Sequence, residues 1–321
     1  ASLTKMMSVY MVFDAIKAGK LSWDSPVPFS KHAASRPPTK LFVKAGDTIT
    51  VREAVLAMIV KSANDAAAAV GEKIGGSEEG FAALMTRKAR SLGMMNTTFF
   101  NASGLPHAQQ FTTARDMSKL SVALIRDVPE EYKIYAEKEY VFNGIKQYNR
   151  NGLLWDKSLN VDGIKTGHTS EAGYSLITSA TKDDMRLISV VMGTDSAKIR
   201  EAENKKLLTY GFRFFETFSP YKAGEKFAEQ RVWQGTKEII TLGVLAETPI
   251  TLQRNQRKDL KADFKLNQEL IAPISKGQVL GTVYLKLGDK DIAEFPLVAL
   301  EDIEQAGLFS RLVDMVKMRF Q

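Results

Sequence analysis

The spacing of apolar residues changes period along this chain, and that change limits the folds open to it. Up to about residue 125 the apolar positions recur at helical spacing. Met6, Val9, Tyr10, Phe13 and Ile16 share one face of 3–18, Ser2 sits at its start, and Gly19 stands where a helix stops. Further helices are predicted over 51–61, 65–74 and 78–92, and Thr113-Ala114-Arg115-Asp116 reads as a capping box opening another through Ile125. From Tyr140 the runs become β-branched and aromatic: 140–142, 163–166, 174–178 and 186–192, with Gly or Asp-Asp turns between them. These predict antiparallel strands. Helical spacing returns over 198–215, and Pro220 marks a boundary. Beyond it, short runs at 231–233, 238–242, 249–252, 260–264, 279–287 and 292–300 predict a small all-β region. Helices and strands grouped in blocks rather than alternating give an α+β fold.

Composition narrows the function. With 321 residues and 44% apolar residues the chain can bury two cores, and 44 Lys+Arg against 37 Asp+Glu leaves too small an imbalance for disorder. There is no Cys, which removes disulfides, thiolate catalysis and Cys-ligated zinc, and three His (His32, His107, His168) make a poor metal set. No metal or other cofactor is expected. Apolar runs such as 54–60 fall far short of the about 18 residues a membrane-spanning helix needs. The positive excess lies almost wholly in 1–218, with 29 basic against 23 acidic residues, compared with 15 against 14 beyond. The basic residues are scattered and not interleaved with aromatics, which argues against nucleic acid and leaves an anionic small substrate, or simply a soluble surface, as the account of the excess.

The last segment, 307–321, is separate in character. Leu308, Phe309, Leu312, Val313, Val316 and Phe320 fall on one helical face, Ser310, Arg311, Asp314, Lys317 and Gln321 on the other, and Arg319 on the apolar side. Such a helix either docks on the β region or lies in the plane of a membrane surface.

Three short motifs carry chemistry. Ser2-Leu3-Thr4-Lys5 sets a hydroxyl and an amine one helical turn apart, and a buried lysine with a lowered pKa can take a serine proton. Ser62-Ala63-Asn64 falls between two predicted helices, where a loop can present a hydroxyl and an amide. Lys165-Thr166-Gly167 lies on a predicted strand, with two carboxylate-binding side chains and a glycine that admits a substrate backbone. Each motif alone is cheap: Ser179-Ala180-Thr181-Lys182 and Ser158-Leu159-Asn160 repeat two of them at misplaced positions. No Gly-x-Ser-x-Gly elbow is present, and His168 lacks an evident Asp/Ser relay.

In this order the three motifs match the signature of penicillin-recognising serine enzymes. The chain resembles the low-molecular-mass penicillin-binding proteins that act as D-alanyl-D-alanine carboxypeptidases, over nearly its whole length. The likeness includes 1–7, 61–65, 113–117, 149–155 and the block Gly163-Ile164-Lys165-Thr166-Gly167-His168-Thr169. It implies a β-lactamase/DD-peptidase-like helical cluster with an antiparallel sheet over 1–218, a β-rich domain over 219–304 and an amphipathic membrane-anchor helix over 305–321. Ser2 would be the nucleophile, forming an acyl-enzyme with the penultimate D-alanine of a peptidoglycan pentapeptide. Lys5 would be its base, Ser62 the proton relay to the leaving amine and Asn64 a ligand of the substrate amide. Lys165, Thr166 and Arg150 would hold the terminal carboxylate beside Gly167, and the backbone N–H groups of Ser2 and His168 would form the oxyanion hole. The resemblance also implies inhibition by β-lactams and a periplasmic place on the inner membrane. Family members carry an export signal and sheet strands before the serine, so this chain, with one alanine there, reads as lacking that segment. No Glu-x-x-Leu-Asn loop is found, which favours Lys5 as base. A β-lactamase and an inactive peptidoglycan-binding relative are the alternatives.

Overall fold

The computed structural model describes residues 1–319; Phe320 and Gln321, assigned above to the terminal helix, lie outside the described residues. The chain divides into two compact units, Ala1–Phe212 and Arg213–Gln321.

In the first unit a 3-10 turn, Ser2–Thr4, runs directly into helix α1 (Lys5–Lys17). Most of α1 is buried, and not on one stripe only: Met6, Met7, Val9, Val12 and Phe13 are almost inaccessible, and so are Lys5 and Ser8. A helix covered on all sides is a core helix, and each large apolar side chain it buries stabilises the fold by roughly 1.5–3 kcal/mol. Gly19 ends it with a φ of +70°, which suits a residue without Cβ. Around α1 stand α2 (Lys31–Ala34), α3 (Val51–Leu56), α4 (Asn64–Gly75), α5 (Glu78–Ser91), α6 (Ala114–Asp127) and α7 (Pro129–Tyr132), with a small antiparallel pair β1 (Pro26–Pro28) and β2 (Thr48–Thr50). The predicted helix 51–61 is half right: α3 gives way to a π-helical turn over Ala57–Lys61. The capping box at Thr113 forms by half. Thr113 accepts the Asp116 N–H, but the buried Asp116 carboxylate turns away to Asn96 N–H and the Thr97 hydroxyl.

A hairpin follows, β3 (Glu139–Phe142) and β4 (Ile145–Tyr148), closed by Asn143-Gly144 with both φ positive. The sequence reading missed β4, because Ile145, Lys146 and Tyr148 are exposed and leave no buried face to read. The main sheet of this unit is antiparallel in the order β5 (Asn160–Thr169), β6 (Gly173–Lys182), β7 (Met185–Thr194), and helix α8 (Ala197–Phe214) follows it. Ser179 and Lys182 both fall within β6, so the second Ser-x-x-Lys lies along a strand.

The second unit is β-rich. Strands β12 (Leu260–Leu266), β13 (Val279–Leu287), β14 (Lys290–Ala299), β10 (Ile239–Gly243) and β9 (Lys226–Arg231) form one antiparallel sheet in that order, and β8 (Phe215–Phe218) pairs with β11 (Ile250–Gln253). Its own core contains Ile240, Leu242, Val283, Leu285, Leu297 and Ile303. Phe215, taken above as the end of a helix, opens β8, and the run expected at 231–233 is displaced: β9 ends at Arg231, and Trp233 only bridges to Ile271. Helix α9 (Leu308–Met318) closes the described chain.

Candidate active site

The chain turns sharply twice around one point. The 3-10 turn before α1 leaves Ser2 without a capping role, so its hydroxyl is free of the helix it precedes. The π turn at Ala57–Lys61 ends on Ser62, held at φ 65° and ψ 38°, a left-handed conformation uncommon for a residue with Cβ. That kink directs Ser62 inward and starts α4 at Asn64. Strand β5 supplies Lys165, Thr166 and Gly167 in register with Ile177, Leu176 and Ser175 of β6.

These pieces meet in bonds between side chains far apart in sequence. Lys5, fully buried, donates to Ser2 Oγ at 2.9 Å, Asn64 Oδ1 at 2.7 Å and the Ser103 carbonyl at 2.7 Å. Lys165, also buried, donates to Ser62 Oγ at 3.0 Å and to the Thr166 carbonyl at 3.0 Å. Asn64 spends its amide N–H on the Pro37 carbonyl at 2.9 Å, which fixes the side-chain flip. A cleft of about 370 Å³ opens over them, lined by Ser2, Ser62, Asn64, Arg150, Thr166, Gly167, His168, Tyr174 and Arg200 among others. The nine residues singled out by sequence are thus brought together, seven at the wall of one cleft and the two lysines bonded beneath it.

The electrostatics are one-sided. Burial drives the Lys5 amine well below the ordinary lysine value, helped by the charges of Lys165 and Arg150 and opposed by Asp65 and Glu78. Burial, with Arg150 and Arg200 nearby, pushes Lys165 down to about 7. A neutral amine has two N–H bonds and one lone pair. Once Lys5 gives up the proton it directs at Ser2 Oγ, Asn64 Oδ1 and the Ser103 carbonyl each keep an N–H and the lone pair faces the Ser2 hydroxyl.

Arg200, Tyr174 and the Ser103 carbonyl were missed in the sequence. Arg200 lies on α8, 6% exposed, and its Nη1 donates to the Gly167 carbonyl at 3.3 Å. Its buried Nε has no hydrogen-bond partner among the described residues, so a donor remains unspent. Tyr174 stacks on His168 with ring centroids 3.8 Å apart and lies 5.6 Å from the Arg200 guanidinium. A charged residue inside a run of helical spacing carries no mark of a site, and a backbone carbonyl carries none at all.

Known proteins resemble this chain in sequence and in fold. A family profile described as D-alanyl-D-alanine carboxypeptidase matches residues 1–196, and one for the penicillin-binding protein 5 C-terminal domain matches residues 215–305. The D-alanyl-D-alanine carboxypeptidases DacA and DacC of Escherichia coli K12 are each 47% identical to the chain over 327 residues, covering all of it and 81% and 82% of their own lengths. Penicillin-binding protein 5 from Haemophilus influenzae superposes with a TM-score of 0.85 at 44% identity, over 95% of this chain and 90% of that one. Penicillin-binding protein D2 of Listeria monocytogenes, solved in its ampicillin-bound form, gives 0.60 at 34% identity over 66% and 86%. By sequence and by fold, the chain belongs to the D-alanyl-D-alanine carboxypeptidase family.

Proposed function

We propose that this protein is a serine D-alanyl-D-alanine carboxypeptidase, with Ser2 as nucleophile and Lys5 as its general base. The observation that carries the reading is the 2.9 Å contact between the Ser2 hydroxyl and a fully buried lysine whose pKa burial has lowered. Ser2 Oγ attacks the carbonyl carbon of the penultimate D-alanine while its proton passes to Lys5 Nζ. The tetrahedral intermediate collapses as the C–N bond breaks. The leaving amine takes a proton through Ser62, which Lys165 holds, and terminal D-alanine departs. Water then hydrolyses the ester and frees Ser2. Asn64 orients the substrate amide, and Lys165, Thr166 and Arg150 hold the terminal carboxylate beside Gly167, with the donors of Arg200 adding to that positive wall. The N–H groups of Ser2 and His168 receive the oxyanion. A β-lactam presents a carboxylate and a strained amide in the same relation, so it acylates Ser2.

We read 1–218 as the catalytic domain, 219–304 as a β-rich domain and 305–321 as a peripheral anchor on the inner membrane, with the substrate in the periplasm. No helix among the described residues is long and apolar enough to cross a membrane. The support for a surface anchor is α9 itself. Asp314 on its polar face accepts the Gln234 N–H at 2.7 Å, whereas Leu308 and Phe309 are 77% and 82% exposed.

The test uses fluorescent penicillin and a peptidoglycan pentapeptide. Wild-type chain is expected to be labelled covalently and to release one D-alanine per peptide, and Ser2→Ala to do neither. Equal labelling of Ser2→Ala would refute the assignment, and sustained penicillin turnover would make the protein a β-lactamase instead.

A further inference from the structure

The base has a supporting group behind it, out of reach of any substrate. The Ser103 carbonyl that accepts from Lys5 belongs to an irregular segment with no ladder to hold it, so something else must fix where that oxygen points. Three side chains do. Ser8 donates to the Ala102 carbonyl at 2.6 Å, and Asn101 Oδ1 accepts the Gly104 N–H at 2.7 Å. The third is Glu78, on the first turn of α5, whose Oε1 accepts the buried Ala102 N–H at 3.1 Å. Glu78 is 4% exposed, and its other oxygen lies 2.6 Å from His32 Nε2 on α2 and 3.8 Å from Arg36 Nη1. A carboxylate held on one side by an imidazole and a guanidinium, and on the other by the backbone next to Ser103, is fixed in place. It is also a buried negative charge near the Lys5 amine.

We propose that Glu78, clamped by His32, is a positioning residue for the general base: it fixes the Ser103 carbonyl against Lys5 and supplies a negative charge behind it. This rests on Lys5 being the base. Four charges act on Lys5, with Lys165 and Arg150 favouring the free amine and Asp65 and Glu78 favouring the ammonium. Burial governs that amine most, and the Glu78 charge raises the pH at which Lys5 loses its proton, while its hydrogen bond to the Ala102 N–H places the neighbouring Ser103 carbonyl to which the amine donates. The two contributions separate in different variants. Glu78→Gln keeps an oxygen for the Ala102 N–H and removes the charge. Glu78→Ala removes both.

The experiment is the second-order rate of acylation by fluorescent penicillin from pH 5 to 10, measured on the full chain. Glu78→Gln is expected to keep the plateau rate within about threefold while its rising limb moves to lower pH, since loss of the carboxylate eases deprotonation of Lys5. Glu78→Ala is expected to show the same acid shift with a plateau about ten- to a hundredfold lower, because the amine is no longer aimed. If Glu78→Ala does not fold, the limb of Glu78→Gln decides alone. A rising limb that stays in place in Glu78→Gln overturns the proposal, whether or not the rate falls, since a merely structural side chain would leave it there. Lys5→Met separates this from failure of the base assignment: unimpaired acylation there refutes Lys5 as base, whereas its loss beside an unmoved Glu78→Gln limb refutes only the role of Glu78.

Discussion

Lys165 is a charged side chain kept where a charge is costly, 3% exposed and facing two arginines. Its pKa falls from 10.5 in the open chain to about 7 in the fold, so the folded state holds that proton more weakly than the unfolded one. Stability is therefore lost as pH drops from about 10.5 to about 7, and the penalty is complete below that. Lys165→Met is expected to raise stability at pH 6.5 by about 1–2 kcal/mol, with the gain shrinking toward pH 10, while ending carboxylate binding. Thermal melts at the two pH values check it, and a variant less stable than wild type at pH 6.5 would refute it. At this scale the sequence was most informative about side chains with unusual chemistry in ordered motifs: Ser2, Lys5, Ser62, Asn64 and Lys165. It was silent on Arg200 and Glu78, because nothing in a residue's neighbours along the chain marks it when its partners are 33 or 24 residues away.

Between helices, the glycines show what spacing cannot. Gly75 ends α4 where α5 crosses it, and a Cβ there would sit 2.4 Å from the Phe81 backbone N and 2.6 Å from its Cα. Backbone at that distance cannot give way as a side-chain tip can, so Gly75→Ala is expected to cost about 2–3 kcal/mol. Gly19→Ala meets open space and suffers only from its φ of +70°, about 1 kcal/mol. Urea midpoints of the first unit would rank the two, and equal midpoints would contradict the packing argument. Elements with a buried face, such as α1, α6 and β13, were legible from their apolar residues. β4 was not, having little burial to pattern it, nor was β8, where a run of phenylalanines continues the composition of α8 into a strand. The π turn before Ser62 could not be foreseen either, since Ala57–Val60 suits a helix of any pitch.

Each unit of the whole molecule has its own apolar core, and α9 adds nothing to either: none of its described residues is buried. Removing 308–321 is therefore expected to leave the melting temperature within about 2 °C and penicillin labelling unchanged, while abolishing sedimentation with anionic lipid vesicles. Unchanged pelleting would refute the anchor, and a collapsed melting temperature would mean that the helix is part of the fold. The sequence by itself determined the α+β class, the order of the blocks and the side chains with which a serine enzyme could work, because periodicity and motif are properties of neighbours. Only the tertiary structure decided that Lys5 would be buried between Ser2, Asn64 and a backbone carbonyl about a hundred residues downstream. Burial and neighbouring positive charges lower the pKa of an ordinary lysine, as the proposed base requires, and both come from residues that the fold, not the chain, makes adjacent.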